Sequence, residues 1–209
     1  RTLYQPGINL TLTCDALQAK LADGTALNFQ QDLAALWQHA SLPNACDPVL
    51  QAAYDQGLLT DARLWARIDR AFDAGKGGTV AALAGWLPDD QRQTALKLAQ
   101  ALRDPAAAAT AAAQWPDTVR LRQAAATALQ RLARRAPDTA NTNWQILQHH
   151  FHFSSVQRNA IRHAVVLFRA TDFEPDSLSQ LIALPAAAQS DSTREWRVRV
   201  ALARQDWSA

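Results

Sequence analysis

Methionine is absent from this chain of 209 residues, glutamate occurs only at Glu174 and Glu195, and cysteine only at Cys14 and Cys46. Each scarcity excludes something. No apolar run approaches the ~20 residues of a bilayer-crossing helix, so no membrane span is expected. The first residues, Arg1 to Gly7, hold no apolar segment of signal-peptide type. A chain that begins at Arg1 without any methionine is expected to be a mature form, or a piece excised from something longer. The two cysteines show no CxxC or Cys-His spacing, which leaves no zinc site and no metal or cofactor to expect. Two buried thiols and one disulfide are both compatible with that count. Glycine is scarce as well, and Gly75-Lys76-Gly77-Gly78 lacks the spacing of a phosphate-cradling loop, so it reads as a helix-to-helix turn. Excess charge of one sign is also missing. With 21 Lys and Arg against 19 Asp and Glu, the formal charge of +2 does not suit a dedicated nucleic-acid binder.

What is present is helical periodicity. Apolar positions recur at three and four residues nearly throughout, and no alternating run of β-branched and aromatic residues interrupts them. A first helix is expected over 10–21, stopped by Asp23-Gly24, and a second carries Leu27, Leu33, Leu36 and Trp37 before Pro43. A third opens at Asp47-Pro48 and ends at Gly57. Its partner, 61–74, places Leu64, Trp65, Ile68 and Phe72 on one stripe before Gly75. Further helices are expected at 78–87, 89–102, 117–135, 138–150, 155–169, 176–183 and 192–204. The alanine-rich stretch 106–113 reads as a closely packed inner helix, because alanine loses no side-chain entropy and lets axes approach. About a dozen short helices with tight punctuation describe an all-α, irregular superhelix (solenoid) of antiparallel helix pairs, taken as one domain over 1–209. A chain this long buries roughly 70% of its unfolded surface, enough for a sizeable core.

Catalytic constellations are thin. The aspartates Asp47, Asp61, Asp89, Asp117 and Asp138 sit at helix starts and read as caps. Glu174 lies in a loop, and Glu195 sits beside Arg194, Arg197 and Arg199, where an ion pair is the simplest reading. His149, His150, His152 and His163 lack metalloprotease spacing and read as helix-end histidines. Ser154 and Ser155 read as N-caps. Among the tryptophans, Trp37, Trp65, Trp86 and Trp196 fall on apolar stripes and are expected in the core. Trp115, Trp144 and Trp207 sit near breaks, where an exposed indole can stack on sugars or bases. Arginines cluster in three groups: Arg120, Arg122, Arg131, Arg134 and Arg135; Arg158, Arg162 and Arg169; and Arg194, Arg197, Arg199 and Arg204. Each group is either a solvated face or part of a basic surface for an acidic polymer.

Leu36-Trp37, the segment Leu42-Pro43-Asn44-Ala45-Cys46-Asp47, Trp65-Ala66-Arg67-Ile68, the run from Ala74-Gly75-Lys76 to Ala84-Gly85, and Arg194-Glu195-Trp196-Arg197 through Ala203 together resemble the superhelical domain of the soluble lytic murein transglycosylases. The resemblance implies a periplasmic protein whose U-shaped helical domain forms a ring with a linker domain and carries a lysozyme-like domain. That family cleaves the MurNAc–GlcNAc bond of peptidoglycan without water and leaves a 1,6-anhydro end. One glutamate acts as acid and then base, within a Glu-Ser segment followed by Gly-Leu-Met-Gln. Here Glu174 precedes proline, Glu195 precedes tryptophan, and methionine is missing. The catalytic domain is therefore expected to lie outside this segment, or to have been lost, with peptidoglycan glycan strands and the rest of the parent enzyme as partners. Arg131, Arg134 and Arg135 are the candidate substrate-binding residues. A free-standing helical-repeat adaptor for a protein or peptide is the alternative. The oxidising periplasm that the resemblance implies favours a Cys14–Cys46 disulfide, joining the first helix to the start of the third.

Overall fold

The computed structural model describes residues 9–206. All regular structure among them is helical, so the all-α class expected from periodicity holds. The chain divides into two compact units, residues 1–99 and 100–209.

In the first unit, α1 (Leu10–Ala22) starts at Asn9, whose side chain accepts from the N–H groups of Thr11 and Leu12. Next comes a departure from expectation. Residues 27–37 form no regular α-helix but a π-helical turn, Phe29–Leu33, and then a 3-10 turn, Leu36–Gln38. Side chains satisfy the donors at the start of this turn. The Asn28 side chain accepts from Gln31 N–H, while Asp32 accepts from Asn28 N–H and from the Lys20 ammonium, both at 2.7 Å. Leu33, Leu36 and Trp37 are nevertheless buried. A 3-10 turn, Asn44–Cys46, leads into α2 (Asp47–Asp55), and Cys46 is joined to Cys14 by a disulfide with a Cα–Cα distance of 4.9 Å. Helix α3 (Asp61–Asp73) turns its Leu64, Arg67, Ile68, Ala71 and Phe72 inward. Gly75, at φ 71°, lets the chain reverse into α4 (Gly77–Ala84), against which α3 packs. Helix α5 (Asp89–Arg103) contains the boundary between the units.

The second unit is organised around α7 (Val119–Ala133), which packs on α6 (Pro105–Ala111), α8 (Pro137–His150) and α9 (Ser155–Thr171). It buries Ala124, Ala125, Ala126, Ala128 and Ala133 together with Leu121, Leu129 and Leu132. The inner helix is thus α7. The stretch 106–113, read as a closely packed helix, lies against α7 and α8 and buries Ala108, Ala109 and Ala112, with Ala106 and Ala107 exposed. Helices α10 (Ser177–Ile182) and α11 (Asp191–Ala203) close the unit over Leu178, Leu181, Leu184 and Val200. Ser154 and Ser190 begin α9 and α11 with reciprocal capping boxes, as read for Ser154, whereas Ser155 is the first helical residue.

The aspartates need correction. Asp47, Asp61 and Asp138 stand inside the first helical turn and make no cap, and Asp89 there pairs with Arg92. Their charge still complements the positive end of the helix. The tryptophans trade places too. Trp115 and Trp144 are buried, Trp65, Trp86 and Trp196 are half-buried, Trp37 is in the core as expected, and Trp207 lies outside the described residues.

Two outcomes test this packing. Closing a loop of this length should contribute about 3 to 4 kcal/mol in the chain-entropy model, so urea unfolding of the Cys14→Ala/Cys46→Ala double variant should show a correspondingly lower stability. Ala128→Leu, at a fully buried position facing neighbouring helices, should cost about 1 to 3 kcal/mol by overpacking in the same assay.

Candidate ligand-binding clefts

Helix ends decide where several of the arginines go. A short helix leaves its flanking carbonyls without intrahelical partners, and a guanidinium offers several donors on a long stem. Arg63 donates to Leu58 O at 2.7 Å, Arg92 to Leu87 O at 3.2 Å and Arg158 to Phe153 O at 2.7 Å. In each case the arginine reaches back five residues to a carbonyl just before its own helix. Arg122 occupies the equivalent place in α7, but its partner is the Asp117 carboxylate at 2.8 Å. Arg70 donates to Trp37 O, Arg131 to Leu102 O and Arg204 to Glu174 O.

The three sequence clusters therefore do not form one basic face. Arg169 is buried between Asp138 and Asp176, Arg194 pairs with Asp191, and Arg199 pairs with Glu195 as the ion-pair reading of that helix required. What the fold does bring together is smaller. Arg131, Arg134 and Arg135, at the end of α7, line a cleft of about 150 Å³ with Leu102, Arg103 and Pro105. Arg134 and Arg135 are exposed, and Arg131 is half-buried on the Leu102 carbonyl. Arg103 was not singled out in the sequence, although its place in the last turn of α5 beside Asp104-Pro105 points to this junction.

A second cleft of about 310 Å³ opens between α8, α9 and α10. Asn141, Gln145 and Gln148 come from α8, Arg162 from α9 and Gln180 from α10, with buried Trp144 in the lining. Gln180 donates to Asp176, and its carbonyl oxygen is sealed from solvent with no partner. Amides and a guanidinium around an indole suit a neutral, hydroxyl- or acetamide-bearing ligand. The spacing of Asn141, Gln145 and Gln148 on one helical face was the missed signal.

The histidines go to separate partners. The His150 ring lies 2.7 Å from Trp115 O, His163 Nδ1 lies 2.9 Å from Ala188 O, and His149 is exposed. His152 meets Asp117, which is the fifth departure from the capping reading. Thr118 caps α7, while Asp117 accepts from His152 N–H at 2.9 Å, from His152 Nδ1 at 2.6 Å and from Arg122 Nε. Desolvation pushes the Asp117 carboxyl up, but these bonds and the Arg122 charge outweigh it and hold the group well below the usual carboxylate range. A carboxyl depressed on folding stabilises fully above its unfolded value of ~3.9 and loses that contribution as pH falls toward the folded one. Asp117→Asn should therefore lower the melting temperature at pH 7, and the difference from the parent should shrink as thermal scans move from about pH 5 to about pH 2.

No protein-family model matches the chain, and no curated protein matches it. Solved structures do. An inactive point mutant of the lytic transglycosylase Slt from Pseudomonas aeruginosa matches 98% of this chain and 34% of its own, at 24% identity and a TM-score of 0.62. The 70-kDa soluble lytic transglycosylase in complex with bulgecin A matches 96% of this chain and 38% of its own, at 23% identity and a TM-score of 0.63. The 70-kDa enzyme from Escherichia coli matches 94% and 38%, at 23% identity and 0.63. This chain spans little more than a third of the length of the structures it matches. At these identities the likeness is one of fold: the chain has the helical fold of a segment of the soluble lytic transglycosylases.

Proposed function

We propose that residues 1–209 act as one non-catalytic, superhelical scaffold segment of a periplasmic lytic transglycosylase. In this reading the parent enzyme is a lyase that cleaves the MurNAc–GlcNAc bond of peptidoglycan to 1,6-anhydro ends. This segment supplies part of the ring that accommodates glycan strands, and the glutamate chemistry resides in another domain. The observation that carries the reading is the structural match over nearly the whole of this chain to about a third of each transglycosylase. The Cys14–Cys46 disulfide agrees with an oxidising compartment.

Arg134 and Arg135, with Arg131 and Arg103, supply the contact to the polymer, whose stem peptides carry carboxylates. Attraction between exposed charges is screened over ~8 Å at physiological ionic strength, so the contact should weaken with salt. Co-sedimentation with purified sacculi is the test. The chain should be retained at low salt and released as salt rises, and Arg131→Ala/Arg134→Ala/Arg135→Ala should cut low-salt retention by roughly tenfold. Unchanged retention would remove these arginines from the interface. The same incubation should release no anhydro-muropeptides above a heat-treated control, and their appearance would place catalysis within this chain.

A further inference from the structure

Arg67 is a cation in the wrong place for a merely structural one. It lies in α3 among Leu64, Ile68, Ala71 and Phe72, with 2% of its surface exposed. Its guanidinium carbon sits 4.7 Å over the Trp37 ring, a face that offsets part of the lost hydration. Nε and Nη1 are sealed from solvent without a hydrogen-bond partner. Burial lowers its pKa to about 10, with the nearby charge of Arg70 adding to the effect, so it remains a cation at neutral pH. The other buried arginine differs: Arg169 also leaves its Nε unpartnered, but its guanidinium meets the carboxylates of Asp138 and Asp176, whereas Arg67 meets none among the described residues. A desolvated charge with open donors calls for an anion.

Space for one is present. Arg67 lines a cleft of about 450 Å³ within the first unit, together with Asn44, Gln51, Thr79 and Trp86. Trp86 is held as an aromatic wall by stacking on Tyr54, with ring centroids 5.9 Å apart. The amides and the hydroxyl offer neutral hydrogen bonds around the charge. Asp47 also lines the cleft, exposed and making no ion pair with Arg67 among the described residues. Its carboxylate repels a dianion such as phosphate more strongly than a monoanion.

We propose that this cleft binds a monocarboxylate group carried on an amide- or hydroxyl-bearing ligand, with the Arg67 guanidinium as its charge partner. A planar carboxylate matches the donor edge of a guanidinium once a side-chain shift uncovers the sealed nitrogens, and the low local polarity strengthens the contact. The carboxylate site stands on the geometry of the first unit alone. That its ligand is a peptidoglycan stem peptide rests on the proposed function above.

Two variants isolate the site. Arg67→Met replaces the buried cation with an unbranched apolar chain, an exchange that buried ionic positions tolerate. Gly78→Leu leaves Arg67 in place and fills the cleft: Gly78 lines it, and a Cβ there meets no atom within 4 Å. The full chain is titrated with N-acetyl-dialanine, with its C-terminal amide, and with a muramyl dipeptide bearing a free carboxylate. The Arg67 Nε–H and the Thr79 backbone amide serve as NMR reporters, and Thr79 alone in Arg67→Met. Both acids should produce saturable shifts where the amide produces none, and each variant should weaken acid binding by about tenfold or more. Acid and amide acting alike, no shift at all, or undiminished binding in Gly78→Leu would each overturn the proposal. Tighter binding of the muramyl acid supports a stem-peptide source. Equal binding of both acids upholds the carboxylate site and rejects that source.

Discussion

Short helices are defined as much by their ends as by their middles. Every α-helix leaves four N–H and four C=O groups without an intrahelical partner, and the longest helix here has 17 residues. In α1, α6, α7, α9 and α11 the N-terminal donors are met by Asn9, Asp104, Thr118, Ser154 and Ser190. The carbonyls flanking the helices fall to arginine: Arg63, Arg92 and Arg158 each reach back to the residue five positions earlier and fix the angle at which the chain enters its helix. Because the corners are held by side chains, the loops can stay short. Alanine then does the complementary work along the helix bodies, where α7 presents five buried methyl groups and its neighbours approach closely.

That demand on arginine explains what the sequence concealed. Helix existence was legible almost everywhere, since Asp23-Gly24, Gly57, Gly75, Asp104-Pro105 and Ser154 punctuate the chain where local conformation changes, and local chemistry suffices there. The region 27–37 was less legible: Asn28 caps a turn there, but the widened turn Phe29–Leu33 and the 3-10 turn Leu36–Gln38 leave the same apolar positions buried as a regular helix would. Trp115 and Trp144 looked exposed beside their breaks, yet a break says nothing about which face a neighbouring helix covers. The arginine clusters misled for the same reason. Charge is visible in the sequence, but its partner is tertiary: Arg169 is buried with Asp138 and Asp176 within reach, whereas Arg162, on the same helix, is exposed. The recurrence of Arg63, Arg92 and Arg122, about 30 residues apart, was the one long-range regularity that could have been read without the structure.

Once the committed arginines are set aside, two kinds of positive charge remain, and they have different physics. Arg134 and Arg135 lie in solvent, where an ion pair contributes ~1 kcal/mol or less and salt competes. They suit a long polyanionic surface, on which many weak contacts add and none needs fixed geometry. Arg67 is already desolvated, so an incoming anion gains attraction without having to strip water from its partner, and bulk salt screens little of it. Such a contact suits one group in one orientation. The near-neutral total charge says nothing about either, since 21 cations and 19 anions give a sum and no positions.

The same distinction bears on how a helical surface of this kind can favour one ligand over another. A shallow arginine cleft of about 150 Å³ responds to charge density alone and would accept any polyanion of suitable width. Selectivity has to come from sites where the wrong group leaves a buried atom unpaired, because the penalty there is the full desolvation of that atom. Two clefts meet this condition, one around the orphaned Arg67 nitrogens and one around the orphaned Gln180 oxygen. The first asks for an anion and the second for a neutral donor. A simple polyanion offers only charge, so within each unit the buried, incomplete polar groups rather than the exposed arginines hold the capacity to discriminate.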